Sequence, residues 1–159
     1  MNRDAVFAQA AQRMGHSFDG EILVGGRYVS LLRDGDTVYI SGQIPRVGTQ
    51  IVVTGRAGDD VNVLRAQEAA RIGVMRALAL VQRAYGSLAC VRQVLRITVY
   101  VQCSSDFTQH SEVADGASDL LCEILGSAGT HTRTSVGVYQ LPKNATVELD
   151  MVLALESGT

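Results

Sequence analysis

"THTRTSVGVYQLPKNATVELDMVLAL", residues 130–155, holds two alternating apolar runs on either side of "LPKN" and so reads as two β-strands joined by a turn. Arg133 stands in the middle of the first run, with His131 and Ser135 on its face by the period of two. Glu148 and Asp150 interrupt the second run in the same way. Arginine is seldom buried without a partner. Pairing the two strands as a hairpin would bring Arg133 within reach of both carboxylates. The pattern fits a structural Arg–Glu pair at a subunit interface as well as it fits catalysis.

Upstream, "VRQVLRITVYVQ" (91–102) alternates Val94, Arg96, Thr98 and Tyr100 against Leu95, Ile97, Val99 and Val101, a strand with one apolar face. A helix over "HSEVADGASDLLCEILG" separates it from the strand holding Arg133. A longer helix runs to about Tyr85, capped by Asp60 or Asn62 and ended by Gly86. Its stripe comprises Leu64, Ala70, Val74, Leu78, Val81 and Tyr85, with small residues alongside for close packing on a sheet. Arg65, Glu68, Arg76 and Arg83 fall on the opposite, solvated side. Earlier still, "RYVSLLRDGDTVYISGQIP" reads as two strands around Asp34-Gly35-Asp36, and "TQIVVTG" as a third. Residues 4–14 form a leading helix, and "HSFDGEILVGG" an extended connector.

This order predicts an α+β fold in which a mixed sheet carries its two long helices on one face. A single domain over 1–159 is expected, with the leading helix and connector in 1–26 and the core in 27–156. No further helix is left for the other face of the sheet, so neighbouring subunits are expected to cover it. Composition agrees: 47% hydrophobic with only 19% charged residues is apolar for a monomer.

A net charge of −2 without a basic run argues against a nucleic-acid partner. Among the 14 basic residues only Lys143 is a lysine, and its place in a turn suits no Schiff-base role. Cys90, Cys103 and Cys122 are scattered, which suggests neither a disulfide framework nor a zinc site and fits a reducing cytosol. No signal peptide or membrane span is read, so a cytoplasmic protein is expected. GxSxG, HExxH and a phosphate loop after a strand are missing, and His16, His110 and His131 lie far apart, so no metal site is expected.

"VYISGQIP", the strand ending "VYVQ", and "RTSVGVYQLP" followed by "VELD" together resemble the RidA family, also called YjgF-type or reactive-intermediate deaminases. The resemblance spans residue 28 to about 155, and Glu148 follows Arg133 by 15 residues, as in the family. It implies a chorismate-mutase-like fold, a homotrimer, small-molecule sites in clefts between subunits, and no metal or organic cofactor. The activity implied is that of a 2-iminobutanoate/2-iminopropanoate deaminase, hydrolysing amino-acid-derived enamines and imines to 2-keto acids and ammonia.

By the same resemblance, Arg133 clamps the substrate carboxylate and Glu148 positions or activates the attacking water. Ser41 and Gly42 of "SGQ" line the site, and Tyr28 walls it. A planar, permanently charged guanidinium suits a carboxylate through two parallel hydrogen bonds, and an arginine without an internal counterion is a standing anion site. Two positions depart from the family: its cleft asparagine falls on Asp115, and a common cysteine falls on Ser135, which removes thiol chemistry there. The leading helix and "GASDLL" resemble a less characterised branch. Two other functions stay open: a non-catalytic trimer binding a carboxylated metabolite, and an endoribonuclease or translation inhibitor, against which the acidic balance counts.

Overall fold

A computed structural model describes residues 2–159. Helix α1 (Arg3–Met14) is closed at its start by Asn2, whose side chain accepts the Ala5 N–H at 2.7 Å. The chain then runs without helix or strand to residue 30. Strands β1 (Leu31–Asp34) and β2 (Thr37–Gln43) form the expected hairpin, with Gly35 at φ 60° supplying the turn.

"TQIVVTG" departs from expectation. It contributes only β4 (Gln50–Ile51), paired with β3 (Arg46–Val47) in a small ribbon apart from the main sheet. The Val52 N–H turns back onto the Pro45 carbonyl at 2.9 Å, so the segment closes on its own turn before it can reach a longer strand.

Helix α2 (Val63–Tyr85) takes Asn62 as its cap, accepting the Arg65 N–H at 2.8 Å, while Asp60 accepts the Arg56 N–H instead. Its middle is buried nearly all round from Ala66 to Val81, whereas Leu64 is 73% exposed, outside the stripe expected to hold it. Strand β5 (Val91–Gln102) buries Ile97, Val99 and Val101. A bulge between Val94 and Arg96 breaks its alternation, turning Val94 inward and leaving Leu95 exposed. Helix α3 (His110–Leu125) leads to β6 (Thr132–Val138) and finally β7 (Val147–Leu155).

The main sheet runs β1-β2-β7-β5-β6, with only the β5–β6 pair parallel. The expected β6–β7 hairpin is therefore replaced by a ladder in which β5 lies between the two. The connection through residues 139–146 is long enough to step over one strand, about 10 Å across two inter-strand spacings. Gln102, fully buried at the end of β5, fixes this crossing. It accepts the Leu141 N–H at 2.7 Å and donates to the Asn144 side chain at 2.7 Å and the Gly55 carbonyl at 3.1 Å.

Helices α2 and α3 pack on one face of the sheet, and α1 packs against α3. On the other face Leu32 is 59% exposed, Tyr39 49% and Val136 39%, left uncovered by the described residues. The helices approach each other closely at Gly116, where a Cβ would stand 2.7 Å from the Gln67 carbonyl oxygen. Gly116→Ala should therefore lower the unfolding free energy by about 1–3 kcal/mol. That is opposite in sign to the ~1 kcal/mol gained by glycine-to-alanine in an open helix. Urea unfolding curves of the two proteins read the difference directly.

Candidate functional site

Strand β2 carries "SGQ" through an irregular stretch against β7. Ile40 pairs with Met151 and Gln43 with Leu149, so Ser41 and Gly42 together oppose only Asp150. At Gly42 the Glu148 side chain lies directly over the backbone, in space a Cβ would occupy. Only glycine admits the carboxylate this close. The Ser41 hydroxyl is committed locally, donating to the Val29 carbonyl at 2.8 Å, and this ties the bulge to the segment before β1.

A cavity of about 220 Å³ opens beside this contact. Tyr28, Gly42 and Glu148 line it together with Gln43, Arg46 and Arg76, and connector residues Leu23, Val24 and Gly25 complete one side. Burial of Glu148 and the neighbouring Asp150 charge both raise the Glu148 pKa. Asp150 is raised too, since its burial outweighs hydrogen bonds from Thr98 and Tyr100 and the nearby Arg96. The cavity thus holds a carboxyl moved toward neutrality, the property a proton carrier needs.

Arg133 lies elsewhere. It pairs with Ile97 in the parallel ladder and, like Ile97, faces the helices, whereas Glu148 pairs with Tyr100 and faces the open side. Within one protomer the two therefore stand on opposite faces of the sheet, with β5 between their strands. Its counterion is also not Glu148 or Asp150, the carboxylates that the expected β6–β7 hairpin would bring within reach. Its guanidinium donates to Asp115 Oδ1 at 2.8 Å, Ser118 Oγ at 2.9 Å and Ser111 Oγ at 2.8 Å, all on α3. The side chain of Asp115 is 54% exposed, so the pair is loosely held and its carboxylate remains displaceable. His131 shares the Arg133 face as expected, meeting Ser118 Oγ at 2.9 Å. Ser135 sits two residues on, half-buried and paired opposite Val99.

The seven sequence-derived residues thus fall into two groups: Tyr28, Gly42 and Glu148 lining the cavity, with Ser41 next to Gly42 on β2 but outside the lining, and Asp115, Arg133 and Ser135 between β6 and α3. Arg76 was missed. Expected on a solvated face, it is only 5% exposed, donating to Gln43 Oε1 at 3.0 Å and to the carbonyls of Arg46 at 2.8 Å and Leu23 at 3.4 Å. The signal was available in "IGVMRALALV" (72–81), which is apolar all round except for this residue; such a helix segment is buried on every side. A second constellation also went unseen. Cys103 Sγ lies 3.5 Å from His110 Nε2 beside Gly137, and burial raises the pKa of this thiol. Among the described residues no three metal-ligating side chains cluster.

Comparison with known proteins finds relatives over most of the chain. Residues 22–154 match the family described as "YjgF/chorismate_mutase-like, putative endoribonuclease". The chain is 36% identical over 147 residues to "Protein TCP17" of Trypanosoma cruzi, covering 92% of each. It is 31% identical over 132 residues to "2-iminobutanoate/2-iminopropanoate deaminase" of Dermatophagoides farinae, covering 82% of this chain and 88% of that one. Among solved structures it is similar to the protein Atu1372, of unknown function, from Agrobacterium tumefaciens. That similarity is 34% in identity with a TM-score of 0.85, over 97% of this chain and 95% of the other.

The raised Glu148 pKa carries a stability consequence whose sign is fixed. Ionising this carboxyl costs more in the folded chain than in the unfolded one, so stability is lost as the pH rises from the ordinary carboxylate range through the folded value. Glu148→Gln should accordingly unfold at higher urea than wild type at pH 7. The difference should vanish near pH 4, where the unfolded glutamate is largely protonated.

Proposed function

The chain belongs to the RidA/YjgF family, and from that premise we propose that it hydrolyses reactive 2-imino and 2-enamino acids to 2-keto acids and ammonia. The site is a cleft between protomers of a homotrimer, to which one copy brings Tyr28, Gly42 and Glu148 and another brings Arg133. The observation that carries this reading is the Glu148 carboxyl, raised by burial and seated over Gly42 at a cavity of about 220 Å³. Drug-sized pockets span roughly 300–1,000 Å³, so a small metabolite suits this one. The name of the Dermatophagoides farinae relative supports the same chemistry.

The reaction asks little of the protein. In R–C(=NH2+)–COO− the carbon is already electrophilic. Glu148 accepts a proton as water oxygen bonds to that carbon and returns it to nitrogen. The carbon–nitrogen bond then breaks as the hydroxyl of the adduct gives its proton, through Glu148, to the departing ammonia, which leaves the 2-keto acid and NH4+. Arg133 holds the carboxylate in a fixed plane, exchanging its Asp115 partner for the substrate, and this positioning lowers the entropic part of the barrier. No step calls for a metal or organic cofactor.

The two-copy site explains why Arg133 and Glu148 face opposite sides of one sheet, and why Leu32, Tyr39 and Val136 stand exposed on the face with Glu148. The Arg133–Asp115 pair favours one rival, a trimer that binds a carboxylated metabolite without turning it over. An endoribonuclease reading finds less support: His110 is engaged with Cys103 and His131 with Ser118 and the Gly129 carbonyl.

The test is release of 2-keto acid from imines generated in situ by an amino-acid oxidase, with semicarbazide trapping what remains. Glu148→Gln should lose about 10²–10⁴-fold in turnover, and Arg133→Ala about 100-fold in kcat/KM. A pure binder shows no turnover to lose. Refolding the two inactive variants together at equal ratio should restore about a quarter of wild-type activity, because one protomer pairing in four carries both native residues. A stable monomer in sedimentation would sink the inter-subunit site.

A further inference from the structure

Arg76 is a buried charge with no opposite charge beside it. The acceptors it meets are the Gln43 side chain and two backbone carbonyls, all neutral. These occupy three of the five N–H donors a guanidinium carries. Burial, with Arg46 and Arg83 nearby, brings its pKa down to about 10, so it remains a cation at neutral pH. Arg46 lines the same cavity, and its Nε is buried with no hydrogen-bond partner at all. Lys143 stands at the same cavity.

Among the described residues, Arg46, Arg76, Arg83 and Lys143 have no carboxylate within 4.0 Å. Glu148 shares the cavity, but burial and Asp150 alone move its pKa, so it does not neutralise the arginines. An unpartnered buried donor and an uncompensated buried charge are both costly. Tying down the connector accounts for one bond, Arg76 to the Leu23 carbonyl. It leaves the Arg46 Nε and the net positive charge without a structural purpose.

We propose that Arg46 and Arg76 form an anion subsite in the Tyr28–Gly42–Glu148 cavity, which takes a second carboxylate on the substrate, so that the preferred substrate is the imine of a dicarboxylic amino acid. The assignment of a substrate rests on the deaminase reading above. The anion subsite itself rests only on the cavity. Arg46 and the two uncommitted N–H groups of Arg76 supply charged donors suited to a carboxylate, and a cavity of about 220 Å³ admits a small diacid. Arg133, brought by the other copy, keeps the α-carboxylate, and the two anchors then fix both ends of the molecule around Glu148.

The experiment is calorimetric titration of the full chain with succinate, butanoate and inorganic phosphate. Succinate and butanoate have equal carbon count and differ by one carboxylate. Succinate should bind about tenfold tighter or more, the gain of charge-assisted hydrogen bonds in a desolvated site. Arg46 is only half-buried, so Arg46→Gln should fold, as circular dichroism checks, and should bring the succinate-to-butanoate ratio near one, while Arg46→Lys retains part of it. Equal binding of the two acids by wild type, or an unchanged ratio in Arg46→Gln, overturns the subsite. Phosphate binding tighter than succinate overturns its assignment to a carboxylate.

Turnover separates this proposal from the one beneath it. Imines of acidic amino acids should be hydrolysed about tenfold faster in kcat/KM than aliphatic ones. Hydrolysis of aliphatic imines with no gain for acidic ones overturns the subsite and leaves the deaminase standing. A succinate preference in a protein that hydrolyses no imine supports the subsite and removes the deaminase.

Discussion

Strand β5 is hydrogen-bonded along both edges, antiparallel to β7 and parallel to β6, and its side chains set the parity of the strands beside it. Ile97 must face the helices to complete the core, and this commits Arg133, its partner on β6, to the same face. Tyr100 faces the other way and takes Glu148 with it. A cation and a carboxyl that look adjacent across one turn in the chain are thereby held apart by a strand and by the thickness of the sheet. Gln102 enforces the arrangement, because two of its hydrogen bonds hold the connection that steps over the end of β5 and a third anchors the same side chain on the Gly55 carbonyl.

The features legible in the sequence were those with local causes. Asn62 and Gly86 bound a helix whose apolar period is plain, and Asp34-Gly35-Asp36 makes a hairpin through the chemistry of its turn. The family wording "SGQIP" with "VELD" located Gly42 and Glu148, which the fold does bring into contact. What stayed hidden depends on neighbours distant in the chain. The bulge at Val94–Arg96 answers to the register of β7, and no local rule forbids Leu95 from facing inward. Nothing near Arg133 announces Asp115, which reaches it only because α3 returns over β6. Arg76 was misread because a charge on a helix was assigned to water, although residues on every side of it are buried.

Charge is handled in two ways in this fold. Exposed arginines such as Arg13 and Arg65 meet glutamates, pairs that contribute little to stability. Arg76, which is buried, and Arg83, which is exposed, instead reach main-chain carbonyls of the connector: Leu23 for the first, Phe18 and Gly20 for the second. The segment between α1 and β1 is thus fastened to α2 by guanidinium groups. Five of its residues form part of the cavity wall. Glu148 and Asp150, both raised in pKa, add a further cost on the open face of the sheet. Strain of this kind collects where a protein keeps reactive groups ready for use.

The near-exclusive use of arginine leaves one ε-amine in the whole chain, that of Lys143. It stands in the Pro142–Asn144 turn, at φ 58°, and lines the cavity. Acylation or dansylation of side-chain amines would therefore mark a single place in each protomer, beside Tyr28, Gly42 and Glu148. The molecule carries its own address for a spectroscopic reporter, and the reactivity of that one amine is a gauge of whether the cavity is filled.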